Sequence, residues 1–165
     1  MLADAAHTHT YMGALGKRWR MPLEAEVPKV DLYLGMSEDD RPEPLLYAVA
    51  ATTSQGWPVE RSDGSVQVDS CRPQSCEEKS LIWASSDGVV VGALVHFFYQ
   101  DAKTSARRSL LIWSSETGLD TLPHGFVMAL TEWLRQPASV AGFNAIRMVG
   151  PGGRVVDVPP GRLLP

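Results

Sequence analysis

Leu81-Ile82-Trp83-Ala84-Ser85-Ser86-Asp87-Gly88-Val89-Val90-Val91-Gly92-Ala93-Leu94-Val95-His96 reads as two strands and the turn that joins them. The flanks are rich in aliphatic, β-branched and aromatic residues, which suit a pleated, half-buried surface. Asp87-Gly88 is the pair a tight hairpin turn favours, because it tolerates positive φ. The second strand extends from Val89 to Tyr99, and Gly92 within it reads as a bulge.

The pattern continues downstream. Gln100 to Ala106 is a polar turn region, and Arg108 to Ser114 is another strand. A helix follows over about 125–135, with Phe126, Val127, Leu130, Trp133 and Leu134 on one face at 3.6-residue spacing. Pro137 stops it. Residues 144–149 and 154–158 read as a last hairpin around Gly150-Pro151-Gly152-Gly153, and 159–165 as a Pro-rich tail. Upstream, Val66 and Val68 alternate with polar neighbours in a strand. Gln55 to Gly64 is a turn region with Gly56, Pro58 and Asp63-Gly64. Leu45 to Thr53 reads as a strand, Ser37 to Pro44 as a loop, Val30 to Leu34 as a strand and 1–28 as an irregular lead-in. The expected fold is α+β over a single domain, 1–165: a mainly antiparallel sheet with one principal helix packed on it.

Composition narrows the function. Hydrophobic residues are 44% of the 165, enough to build a core, and charged residues are 21%, too few for compositional disorder. The formal net charge of −4 and the lack of any basic run longer than Lys17-Arg18 or Arg107-Arg108 argue against nucleic acid. A mildly acidic chain is steered toward a basic partner. The longest apolar run, Val89 to Tyr99, is about half of what a membrane-spanning helix needs. No charged-then-apolar secretory signal opens the chain. Met1-Leu2-Ala3-Asp4-Ala5-Ala6 reads equally well as the scar of a trimmed signal or as a cytoplasmic start.

Catalytic signatures are missing from the sequence. It has no Gly-x-Ser-x-Gly, no phosphate-cradling Gly-rich loop after a strand and no His-Glu-x-x-His. His7 and His9 read as a solvated segment, His96 as a histidine satisfied within a strand, and His124 as a turn or capping residue. An enzyme built on His96 or His124 would need a concave pocket around it. Glu132 and Asp120 are available for paired-carboxylate chemistry, but nothing in the sequence brings them together. The sequence therefore points away from an enzyme, with no cofactor and no metal. Trp83 and Trp113 hold equivalent places in Leu-Ile-Trp-Ala-Ser and Leu-Ile-Trp-Ser-Ser. They are expected to share the core face that receives Trp133, in preference to a sugar-stacking surface.

The chain has two cysteines, in Cys71-Arg72-Pro73-Gln74-Ser75-Cys76. Two thiols this close can close a small ring, and Pro73 stiffens it further. If the bond forms, chain entropy gives about 2 kcal/mol for so short a ring. That is a weak reason to build one, so a projecting, pre-ordered loop is the functional reading. Free thiols or a metal-binding pair are the alternatives.

That hexapeptide resembles the Cys-Lys-Pro-His-Asp-Cys loop of the inhibitor of vertebrate lysozyme family, periplasmic proteins of Gram-negative bacteria. Leu81-Ile82-Trp83 and Gly92-Ala93-Leu94 resemble the strands after that loop, and Ser109-Leu110-Leu111-Ile112-Trp113 a later one. Val127-Met128-Ala129-Leu130-Thr131, Leu134 and Gly142-Phe143-Asn144 are similar to the terminal helix and its exit. The match spans 66–144. It implies a disulfide between Cys71 and Cys76, a periplasmic location, and a loop that plugs the cleft of a muramidase. Arg72, Pro73, Gln74 and Ser75 would form the partner-binding finger. Arg72 stands at the family's lysine, Pro73 at its proline, Gln74 at its histidine and Ser75 at its aspartate. Gln74 carries no charge, so the bond a cationic histidine would make is not available there. Arg72 keeps a cation able to fork onto a carboxylate. The resemblance thus implies a peptidoglycan-hydrolase inhibitor with a protein partner. The alternative is an immunity protein that neutralises a secreted toxin, with contacts in 30–60 or 145–165. Monomer and homodimer are both open.

Overall fold

The computed structural model describes residues 2–15, 17–33, 41–98, 107–135, 143, 145–159 and 161–163. The expected turn region Gln100–Ala106, most of the loop from Ser37 and the helix stop at Pro137 lie outside them.

The fold is α+β. Its centre is a seven-stranded sheet in simple chain order: β3 (Trp57–Glu60), β4 (Val66–Arg72), β5 (Ser75–Ala84), β6 (Val90–Phe98), β7 (Arg107–Trp113), β8 (Ala145–Val149) and β9 (Val155–Asp157). Neighbours are antiparallel except β7 and β8, which are parallel. A parallel pair needs a crossover, and helix α4 (His124–Leu134) supplies it. The expected final hairpin is present as β8 and β9. Asp87-Gly88 turns β5 into β6, with Gly88 at φ 98°.

Both faces of the sheet are covered. Leu81, Trp83, Val91, Ala93, Val95, Leu110 and Ile112 face α4, which buries Phe126, Ala129, Leu130 and Trp133 against them. Val68, Ile82, Leu94, Leu111, Trp113 and Val149 face the other way, onto the N-terminal third of the chain. There the structure departs from the sequence reading. Residues 1–28 are not an irregular lead-in. They form α1 (Leu2–His7), a 3-10 turn (Met12–Leu15) and α2 (Lys17–Glu26), which bury Met12, Leu23 and Val27 in that core. Met12 N–H donates to the Gly56 carbonyl (2.8 Å) and ties the segment to the sheet.

Leu45–Thr53 is helix α3, not a strand. Its apolar run is unbroken, so no period separates strand from helix. Pro44 precedes the first turn and three alanines favour helix. Buried Thr52 and Thr53 return their hydroxyls to carbonyls of the preceding turn, Ala48 and Val49. The strand expected at Val30–Leu34 shrinks to β1 (Asp31–Leu32), paired with β2 (Glu43–Pro44) in a separate two-stranded ladder. The supposed turn region after α3 contains edge strand β3. Pro58 fits there because an edge strand need not donate outward.

Two further corrections concern packing. Gly92 is not a bulge, since it pairs in register with Ile82 and Trp113. Its missing side chain is the space the Trp113 ring occupies. Trp83 and Trp113 do not share a face: Trp83 lies on the α4 side and Trp113 on the side of the N-terminal helices. Within the Pro-rich tail, Leu163 is buried in the α4 core and Arg162 pairs with Asp120.

Candidate functional site

The disulfide is present between Cys71 and Cys76, with Cα atoms 4.8 Å apart. It sits where β4 turns into β5. Arg72 pairs with Ser75, leaving Pro73 and Gln74 as the two turn residues. Proline fixes a negative φ, and Gln74 takes φ 67°. Proline followed by positive φ is the residue pattern of a type II turn. Only glycine enters that region without steric cost, so Gln74 holds a strained backbone that the ring and ladder enforce. Arg72, Pro73 and Gln74 are exposed, and Ser75 is half-buried. The expected finger therefore projects from the sheet end.

The ladder register breaks between Cys71 and Arg72, because Cys71 pairs with Lys79. Cys76, Glu77 and Glu78 take up the slack, and the excursion carries Glu78 beneath the turn. Arg72 Nη1 donates to Glu78 Oε2 at 2.7 Å. That hydrogen bond, and then the carboxylate's charge, hold the guanidinium above its ordinary value. Glu78 is buried, and its Oε2 also lies 3.7 Å from Nε2 of buried His96. One of the five N–H donors of Arg72 is thus spent inside the molecule, and its side chain remains 53% exposed. The finger presents an oriented cation in place of a freely rotating one.

Sequence reading selected Arg72, Pro73, Gln74, Ser75 and both cysteines, and the structure brings all six together. It missed Glu78. The available signal was the acidic pair Glu77-Glu78 directly after the second cysteine, but only the register break shows that Glu78 turns back toward Arg72. His96 lies inside β6, in register with Ser109 and near Glu78. His124 is exposed at the start of α4, on the rim of a separate groove. The two histidines do not meet in one site. His7 pairs with Glu60 at 2.7 Å, and among the described residues no cluster of His, Cys, Asp or Glu is arranged to hold a metal ion.

Among the described residues no helix is long and apolar enough to cross a membrane. A disulfide of this kind persists in oxidising surroundings and is rare in a reducing cytosol. Compared with family models, with curated proteins and with solved structures, the chain matches none of them.

Proposed function

We propose that this chain is a periplasmic inhibitor protein, not an enzyme, that inserts the Arg72–Ser75 turn into the active-site cleft of a peptidoglycan hydrolase. The observation that carries the reading is the disulfide-closed, exposed turn with Arg72 anchored on Glu78. A ring of this size adds little to fold stability, whereas pre-ordering a protruding turn lowers the entropy lost on docking. Muramidases act with acidic groups on either side of the scissile bond. The free N–H groups of Arg72 fit a carboxylate there, and the neutral Gln74 amide can donate without needing a proton. The resemblance of the loop to the lysozyme-inhibitor family supports the same target class.

The test is turnover of a panel of muramidases on purified peptidoglycan, with and without the oxidised protein. Inhibition of at least one enzyme is expected, weakened at least tenfold by Arg72→Ala with Gln74→Ala. Undiminished inhibition by the double variant would overturn the finger, and no inhibition across the panel would overturn the target class.

A further inference from the structure

A second surface lies at the opposite end of β4. Helix α4 covers the middle of the sheet but not β3 and the start of β4, so a groove of about 1030 Å³ opens between them. Val59 and Arg61 form its sheet wall, Met128 and Glu132 its helix wall, and Gln67 and Trp83 line it between them. Gln67 and Arg72 are five residues apart on one strand, which places this groove roughly 16 Å from the disulfide turn.

Three features of the groove point to a ligand. Val59 and Met128 are large apolar side chains left 51% and 58% exposed on facing walls. Gln67 Oε1 is buried and has no hydrogen-bond partner among the described residues. A buried acceptor left unpaired carries its full desolvation cost. Of the charged lining, Glu60 is engaged by His7 and Glu132 by Arg61, which leaves Asp63, with Asp69 in the adjoining recess, against Arg135, so acids still exceed bases. Arg61 and Glu132 bridge the mouth at 2.7 Å, and both are exposed enough to exchange partners.

We propose that this groove binds an extended segment of a partner protein that places an apolar side chain beside a basic one. The apolar side chain would lie between Val59 and Met128. A backbone N–H of the segment would satisfy Gln67 Oε1, and the basic side chain would take Glu132 or Asp69. Sugar is the poorer occupant. Trp83 is only 5% exposed, and the exposed Trp57 lies outside the lining, tilted at 43° against Tyr11. Neither ring offers an open stacking floor.

The experiment uses the full-length oxidised chain with no hydrolase present, so its failure leaves the turn's proposed role standing. Fluorescein-labelled decapeptides with alternating Leu/Val and Lys/Arg are titrated by anisotropy, beside the same peptides with Asp/Glu in place of Lys/Arg and beside chitooligosaccharides as competitors. Binding of the basic set is expected, with at least tenfold preference over the acidic set. Val59→Ser with Met128→Ser should weaken it about tenfold, and Glu132→Lys should invert the charge preference. Both changes fall at exposed positions, and thermal melts confirm folding of each variant. The proposal is overturned if the basic set does not bind, if it binds no better than the acidic set, if the groove variants bind like wild type, or if chitooligosaccharides displace the peptide by occupying the groove.

Discussion

The two faces of the sheet are built by different means. On one, α4 packs Phe126, Leu130 and Trp133 over the centre, with Val158 and Leu163 beside it, and β3 and the start of β4 stay open as a groove. On the other, α1, α2 and α3 pack around Met12, Leu23, Val27, Leu45 and Val49, with Trp113 fully buried. The difference sets how each face answers to change. An aromatic ring at the edge of an open groove can shift into it, whereas a ring closed in on all sides cannot.

The largest expected effect tests that closure. Trp113→Ala should cost about 3–5 kcal/mol, since the neighbours of a fully buried ring collapse only partly into the space it leaves. Trp83→Ala should cost measurably less, although the two residues end the same Leu-Ile-Trp pattern. Urea unfolding of both variants gives the comparison, and equal losses would break the distinction between the faces.

A smaller effect sharpens it further. A Cβ at Gly92 would enter the Trp113 ring, and one at Gly125 would stand 2.8 Å from Cζ2 of Trp83. Gly92→Ala should cost about 1–3 kcal/mol, because the closed face has nowhere to move the ring. Gly125 lies within α4, where alanine gains up to about 1 kcal/mol of helix propensity, and Trp83 has the groove beside it. Gly125→Ala should therefore be near neutral in the same urea assay. A loss at Gly125 as large as that at Gly92 would show that the groove gives the ring no relief.

The same contrast explains what the sequence made legible. Helix α4 has one apolar side and one polar side, so its period shows in Phe126, Leu130 and Trp133. Helix α3 is buried over most of its length, and Leu45 to Thr53 reads alike as strand or helix. The N-terminal helices were hidden for another reason. Gly13, Gly16 and Pro22 are poor helix residues, and what holds the segment is tertiary, through Met12, Leu23 and Val27. Trp113 was placed on the wrong face because a repeated tripeptide carries no phase. One residue of register decides which way every side chain points. At the disulfide turn the spacing of Cys71 and Cys76 allowed a small ring but left free thiols or a metal-binding pair open, and the structure shows the bond. Glu78 was not legible, because its partnership with Arg72 depends on a break in pairing that no local pattern announces.

The smallest effect concerns a carboxyl at the border of the N-terminal helices. Burial, and then the nearby Glu116 carboxylate, raise Glu26 above the ordinary value of 4.5, and a hydrogen bond from Ser115 offsets part of this. A raised folded-state value means that the folded chain binds the proton more tightly than the unfolded one. Its contribution is therefore fully present below about pH 4.5 and is lost as pH climbs through the raised value. Above that range an ionised Glu26 is a standing cost. Glu26→Gln removes the titration and the repulsion from Glu116 together, so its melting temperature should exceed that of wild type at pH 7, with the gap closing toward pH 4. Asp63 runs the opposite way: hydrogen bonds from Ser65 lower its value, so its contribution is lost as acid protonates it. Because the two groups act on stability with opposite sign, the wild-type melting curve alone cannot separate them. The difference between Glu26→Gln and wild type can. A gap that is constant from pH 4 to pH 7 would mean that Glu26 is as well solvated as in the unfolded chain, and that this border of the closed face is open to water.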